Sequence, residues 1–154
     1  MARVRKSKER DELLYDQLLS QLEVGYYSGH VRLNSVEFRC PEDAIEYPMD
    51  PIEKIEISWN CTFKKDGDGF TANVTISNMI TGDYEPEFIT LDMEYDLHYG
   101  SKIDLPESLA RRFAREKVLA HVWPYFRQHA TDLYYKAGLR WVVLPFDPPE
   151  VAEQ

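Results

Sequence analysis

The sequence predicts an α+β fold: a four-stranded antiparallel sheet, with a long crossover loop after its first strand, packed on a long C-terminal helix. An extra helix precedes the sheet. Three observations predict this. Stretches between residues 26 and 99 alternate apolar and polar side chains with a period of two. Residues 116–138 carry Leu119, Val122, Trp123, Phe126, Ala130, Leu133 and Tyr134 at steps of three and four, the spacing of a helix with one wide apolar face. Residues 9–23 repeat that helical spacing on a smaller scale, with Leu14, Leu18 and Leu22 in one stripe and Tyr15 and Leu19 beside it.

At 154 residues and 44% hydrophobic content, the chain suits one domain with its own core. Its organisation divides into residues 1–24, a basic tip with the amphipathic helix, and residues 25–154. The formal charge of −9 argues against nucleic acid or an anionic membrane as main partner. Charge is nonetheless uneven, because Arg3, Arg5, Lys6, Lys8 and Arg10 face only Glu9 within the first ten residues. No apolar run approaches the roughly 20 residues of a membrane span, and no apolar signal core opens the chain. Cys40 and Cys61 make no disulfide framework, so a reduced, cytoplasmic protein is expected. The Asn60-Cys61-Thr62 and Asn73-Val74-Thr75 sequons then count as chance matches inside strands.

The first strand, residues 26–39, loses its alternation by one place near Asn34-Ser35, which predicts a bulge. Residues 40–51 hold three prolines and are extended and irregular, too long for a hairpin turn. They still carry Ile45, Tyr47 and Met49, which either pin the loop to the core or line a surface meant to be apolar. The second strand (52–64) puts Ile55, Ile57, Trp59, Cys61 and Phe63 on one side. The third (70–80) does so with Phe70, Ala72, Val74, Ile76 and Ile80, and the fourth with Ile89, Leu91, Met93, Tyr95, Leu97 and Tyr99. Turns at 65–69 and 81–83 join them as hairpins. Asp104-Leu105-Pro106-Glu107 begins helical structure with proline near the first turn. Pro124 predicts a kink in the main helix, and Gly138 a left-handed cap. One helix, about 10–12 Å wide, covers less than four strands about 4.8 Å apart, so this pattern predicts a homo-oligomer that shares its apolar surfaces.

Little in the sequence points to catalysis. The four histidines show no metal-site spacing, and His98 beside Asp96 is better read as a solvated pair than as part of a metal site. Gly67 and Gly69 belong to a hairpin turn, with no Lys-Ser/Thr after them to hold phosphate. Neither a cofactor nor a metal is implied. Asp92, Glu94 and Asp96, with Glu53 and Glu56, give the sheet an acidic outer face, by default a solvated one and alternatively a surface for a cation or a basic partner.

Three segments in order carry a family resemblance. Ser35-Val36-Glu37-Phe38-Arg39-Cys40-Pro41 resembles the end of the first strand of the SecB export chaperone. Residues 47–57, YPMDPIEKIEI, resemble its crossover loop and second strand. Most specific is Val122-Trp123-Pro124-Tyr125-Phe126-Arg127, similar to the apolar-aromatic-Pro-Tyr-x-Arg run of its main helix, followed by Ala137-Gly138 and an extended Trp141-Val142-Val143-Leu144-Pro145 segment. The resemblance spans about residues 26–147.

What it implies is an ATP-independent holdase, a dimer of dimers binding unfolded polypeptides, for export or for a dedicated client. Carried over by position, the client groove would be lined by Ile45, Tyr47, Met49, Trp141, Val143, Leu144 and Phe146. Two first-strand acids that help SecB dock the SecA motor fall at Ser35 and Arg39, which puts SecA delivery in doubt. Glu37, Asp92 and Glu94 remain as docking positions for a motor or another partner. The second SecB helix is expected to be mostly absent, since the chain stops at Gln154. The helix at 9–23 is closer to the SecB-like chaperones that accompany toxin–antitoxin pairs. The other open readings are an oligomeric interaction or scaffold protein without client holding, and an enzyme using the acidic face, which no spacing supports.

Overall fold

A computed structural model describes residues 1–22, 27–41, 54–81, 88–139 and 142–148, with the side chains of 27–30, 54 and 88 left aside. Its elements are α1 (Ala2–Gln21), β1 (Tyr27–Arg39), β2 (Lys54–Asp66), β3 (Gly69–Thr81), β4 (Phe88–Gly100), α2 (Glu107–Phe113), a π turn (Ala114–Val118) and α3 (Leu119–Lys136). All strand pairs are antiparallel, in the order β1-β4-β3-β2. β1 and β2 are therefore the two edges, and residues 42–53 join edges about 14 Å apart, which is what makes that connection a crossover.

The alternation places side chains as expected. Val74, Ile76, Leu91, Tyr95, Leu97 and Tyr99 are all buried on the inner face, and the β1 register slips between Leu33 and Ser35. Both sequons lie in strands. β2 and β3 meet in a two-residue turn where Gly67 takes φ +54°, open to glycine at low cost. Gly69 packs against the Tyr99 carbonyl, where a Cβ would collide.

Two expectations need correction. α1 begins at Ala2 instead of residue 9, because Arg and Lys are good helix formers even where no apolar stripe marks the helix. Helical structure begins at Glu107, as Asp104-Leu105-Pro106-Glu107 predicts, and runs on into α3. Its buried positions run Leu109, Phe113, Val118, Val122, Phe126, Ala130 and Tyr134, steps of four with one step of five. The π turn absorbs the five, since its i→i+5 bonding returns residue 118 to the face left by 113. Finally, the inner face is not left uncovered by one helix. Tyr15 and Leu18 of α1, Leu109 and Phe113 of α2, and Leu139, Val142 and Leu144 share one core with α3 and the sheet. One chain therefore leaves little uncovered inner face for a second copy to share. What stays partly open is the edges, including Val36 of β1 and Ile55, Ile57 and Phe63 of β2.

Gly138, φ +84°, ends α3 as predicted. The Leu139 N–H donates to the Tyr134 carbonyl at 2.8 Å and the Gly138 N–H to that of Tyr135 at 3.1 Å, the paired bonds of a Schellman motif. Buried Leu139 completes it and aims the chain back along the helix.

Candidate functional site

The Schellman turn starts the site. It sends residues 142–148 back beside α3, with Val142 and Leu144 facing the core and Val143 and Phe146 facing out. Trp123 fixes this return. Its ring is buried, and its indole N–H donates to the carbonyls of Pro145 (3.3 Å) and Phe146 (3.1 Å). A buried N–H needs such a partner. Between α3 and the returning segment runs a groove of about 560 Å³, within the range of ligand pockets. Ala120, Trp123, Pro124 and Gln128 line its helix side, and Phe146 and Pro148 the other. Arg127 sits in it with its guanidinium carbon 5.3 Å from the Phe146 ring centroid, a cation–π contact.

Of the predicted groove residues, Val143 and Phe146 are 74% and 79% exposed. Both large apolar side chains stay in water although the segment that carries them is pinned by Trp123. Leu144 is corrected: it is 3% exposed and belongs to the core, because alternation along the extended segment points it opposite to its neighbours. Ile45, Tyr47, Met49 and Trp141 lie outside the described residues.

The docking positions do meet. Glu37 of β1 is directly opposite Asp92 of β4, and Ser35 is opposite Glu94, all on the outer face. A second concavity of about 440 Å³ is lined by Glu37, Phe38, Arg39, Thr90 and Asp92. Like charges directly across an antiparallel pair repel, which favours a cationic neighbour there. Glu94 is already engaged, accepting from Asn73 Nδ2 at 2.9 Å, while the same amide donates to Asp96 at 2.8 Å. The pairing of His98 with Asp96 is corrected. His98 Nδ1 lies 3.6 Å from Asp66 and 3.3 Å from the Thr71 hydroxyl, across the strand pairing and not along its own strand. Among the described residues no three His, Cys, Asp or Glu side chains converge as a metal site.

Sequence reasoning missed the polar bonds between helix and sheet. Tyr99 Oη is 2.9 Å from His121 Nδ1, and Tyr95 Oη is 2.9 Å from His129 Nδ1. Eight helical residues rise about 12 Å and four strand residues about 13.6 Å, so an antiparallel α3 meets both partners at once. Asn78 Nδ2 donates to Tyr134 Oη at 2.6 Å, and Tyr15 Oη to Glu116 at 2.9 Å. Burial, with a smaller push from Lys117, lowers the His121 pKa and keeps the ring neutral. Burial raises the Tyr95 and Tyr134 hydroxyls, so both stay protonated. The visible signal was tyrosine at inward strand positions, which must find a polar partner when buried.

No protein-family model and no curated protein matches the sequence. Among solved structures, the chain is similar to the SecB-like chaperone of Mycobacterium tuberculosis, determined in complex with a ChAD peptide from an antitoxin. The TM-score is 0.61 at 17% identity, over 76% of this chain and 87% of that one. The chain has the SecB-like fold. In the SecB-like setting, the exposed Val143 and Phe146 lie on the segment that follows the main helix.

Proposed function

We propose that this protein is an ATP-independent holdase chaperone. It binds unfolded or aggregation-prone polypeptides along the groove between α3 and residues 142–148. The observation that carries this is the rigid display of Val143 and Phe146 by a segment that Trp123 anchors. Apolar burial is worth about 25 cal/mol per Å², so a few hundred Å² holds a segment weakly and reversibly, as holding without nucleotide requires. Ile45, Tyr47, Met49 and Trp141 extend the groove on this reading. That a SecB-like chaperone was solved with an antitoxin peptide supports a dedicated client, such as an antitoxin tail, over general export.

The same reading makes the protein a cytoplasmic homo-oligomer, a dimer of dimers. Its support is the apolar surface still open in one chain: Val36 at the β1 edge, and Tyr125 and Tyr135 on α3. Repetition of a weak groove over four copies raises client affinity by avidity. Glu37, Asp92 and Glu94 offer an acidic strip to a basic partner. SecA is one such partner, disfavoured by Ser35 and Arg39 at its usual acidic positions. No cofactor enters the mechanism, and no described helix is long and apolar enough to cross a membrane.

The direct test is aggregation of a chemically unfolded protein, followed by light scattering with stoichiometric chaperone and no nucleotide. Protection is expected. Absence of protection at any ratio rejects the holdase reading and leaves an oligomeric interaction or scaffold protein.

A further inference from the structure

Resting on the acidic strip proposed above, and not on the groove, we infer that its occupant is the basic tip of α1 from a second copy of this chain. Residues 1–10 are all exposed, and the first buried residue of α1 is Tyr15. Five cations against Glu9 put +4 on this tip in a chain whose total is −9, so the remainder carries −13. Arg3, Lys6 and Arg10 are three and four places apart and form one line along the helix. Among the described residues no acid lies within ion-pair distance of these three. No acid stands in the first turn and no side chain caps it, so Arg3 and Arg5 add to the positive end of the helix dipole. About ten helical residues without packing are marginal in water, and an anionic surface over them supplies what their own chain lacks.

The strip meets that need. Glu37 and Asp92 face each other across the β1–β4 pairing on the outer face, with Glu94 two residues further along β4. Among the described residues neither Glu37 nor Asp92 has an ion-pair partner, and three acids against Arg39 leave the strip net negative. The spacings agree: Lys6 and Arg10 are about 6 Å apart along the helix, and Asp92 and Glu94 about 6.8 Å apart along the strand. The chain's own α1 cannot serve. Tyr15 and Leu18 join the core on the inner face, and Gln21 Oε1 accepts from Ser101 Oγ (3.3 Å) and the Lys102 N–H (3.2 Å) just beyond β4. A straight helix anchored there does not reach the outer face of its own sheet, so the cations come from another molecule. A nucleic acid on the tip would be repelled by the acidic remainder of the chain, whereas a second copy satisfies tip and strip together. The contact is heterologous, tip to strip, and adds to the edge and α3 surfaces.

Two variants and their mixture test this. Arg3→Glu/Lys6→Glu/Arg10→Glu makes tip and strip both acidic, and Glu37→Lys/Asp92→Lys makes both basic. Sedimentation velocity of the full chain follows association at about 0.01 M and about 1 M salt, between which the screening length falls from about 30 to about 3 Å. Wild type should form larger species at low salt and associate about tenfold more weakly at high salt. Each variant alone should show the weak, high-salt behaviour at both. An equimolar mixture should recover the wild-type species, since each tip then meets a strip of opposite sign. Salt-independent association of wild type, or variants that associate as wild type does, overturns the inference. Loss in the tip variant without recovery in the mixture overturns it too; a labelled oligonucleotide bound by wild type and not by the tip variant would then identify nucleic acid as the partner. Light scattering with an unfolded protein, run on the same samples, keeps the two readings apart. Absence of protection with the charge-paired association intact rejects the holdase alone, and protection without that association rejects this contact alone.

Discussion

Trp123 carries two duties through one side chain. Its ring fills the core, and its N–H holds the segment that displays Val143 and Phe146. Trp123→Phe keeps most of the packing and removes the donor, leaving two carbonyls short of a partner. The expected cost is about 1–2 kcal/mol in urea unfolding, with faster proteolysis near residue 145. A second residue-scale prediction concerns His121. Its folded pKa is lowered, so the unfolded chain takes up the proton first as pH falls. Its contribution is complete above the ordinary histidine pKa of about 6.5 and is lost as pH drops from there through the lowered folded value. Melting temperature should therefore fall between pH 7.5 and 5.5, and His121→Asn should flatten that dependence. These contacts were illegible beforehand. Periodicity shows which way Tyr95, Tyr99 and Asn78 point, but not which helical residue waits opposite each.

Elements were the most legible scale where apolar residues mark a face. All four strands, the β1 bulge and the Gly138 cap follow from alternation and from one glycine at the right place. The misplaced start of α1 has a physical cause. At Ala2–Arg10 the helix is polar all round, so no stripe announces it. At Glu107–Val118, where Pro106 marks the start, a step of five breaks the stripe's period and the π turn restores it. Gly138→Ala places a Cβ at φ +84° and should cost about 1–2 kcal/mol in a urea titration. Leu18→Ala, fully buried in α1, should cost about 2–5 kcal/mol if α1 is an integral part of the core. A negligible change would make α1 an accessory arm.

At the scale of the whole molecule, one chain covers most of its inner sheet face, so the oligomer proposed above would use the edges and the outer side of α3 and not an exposed core. Native mass spectrometry should show a tetramer, with Tyr125→Glu plus Tyr135→Glu shifting it toward smaller species; a clean monomer in the wild type removes the avidity argument. The candidate site was legible only in part. Val143 and Phe146 emerge from their place after the main helix, whereas the groove wall built by Ala120, Pro124, Arg127 and Gln128 is the helix face that a search for core residues passes over. Holding clients on that wall is the central claim, and a paired aggregation assay tests it most directly. Wild type, Val143→Ser/Phe146→Ser and Met79→Ser, a half-exposed apolar residue on the opposite sheet face, are compared at equal oligomer concentration without nucleotide. Protection by wild type and Met79→Ser, with at least a severalfold loss in the double variant, is the predicted result. Equal protection by all three would contradict the groove.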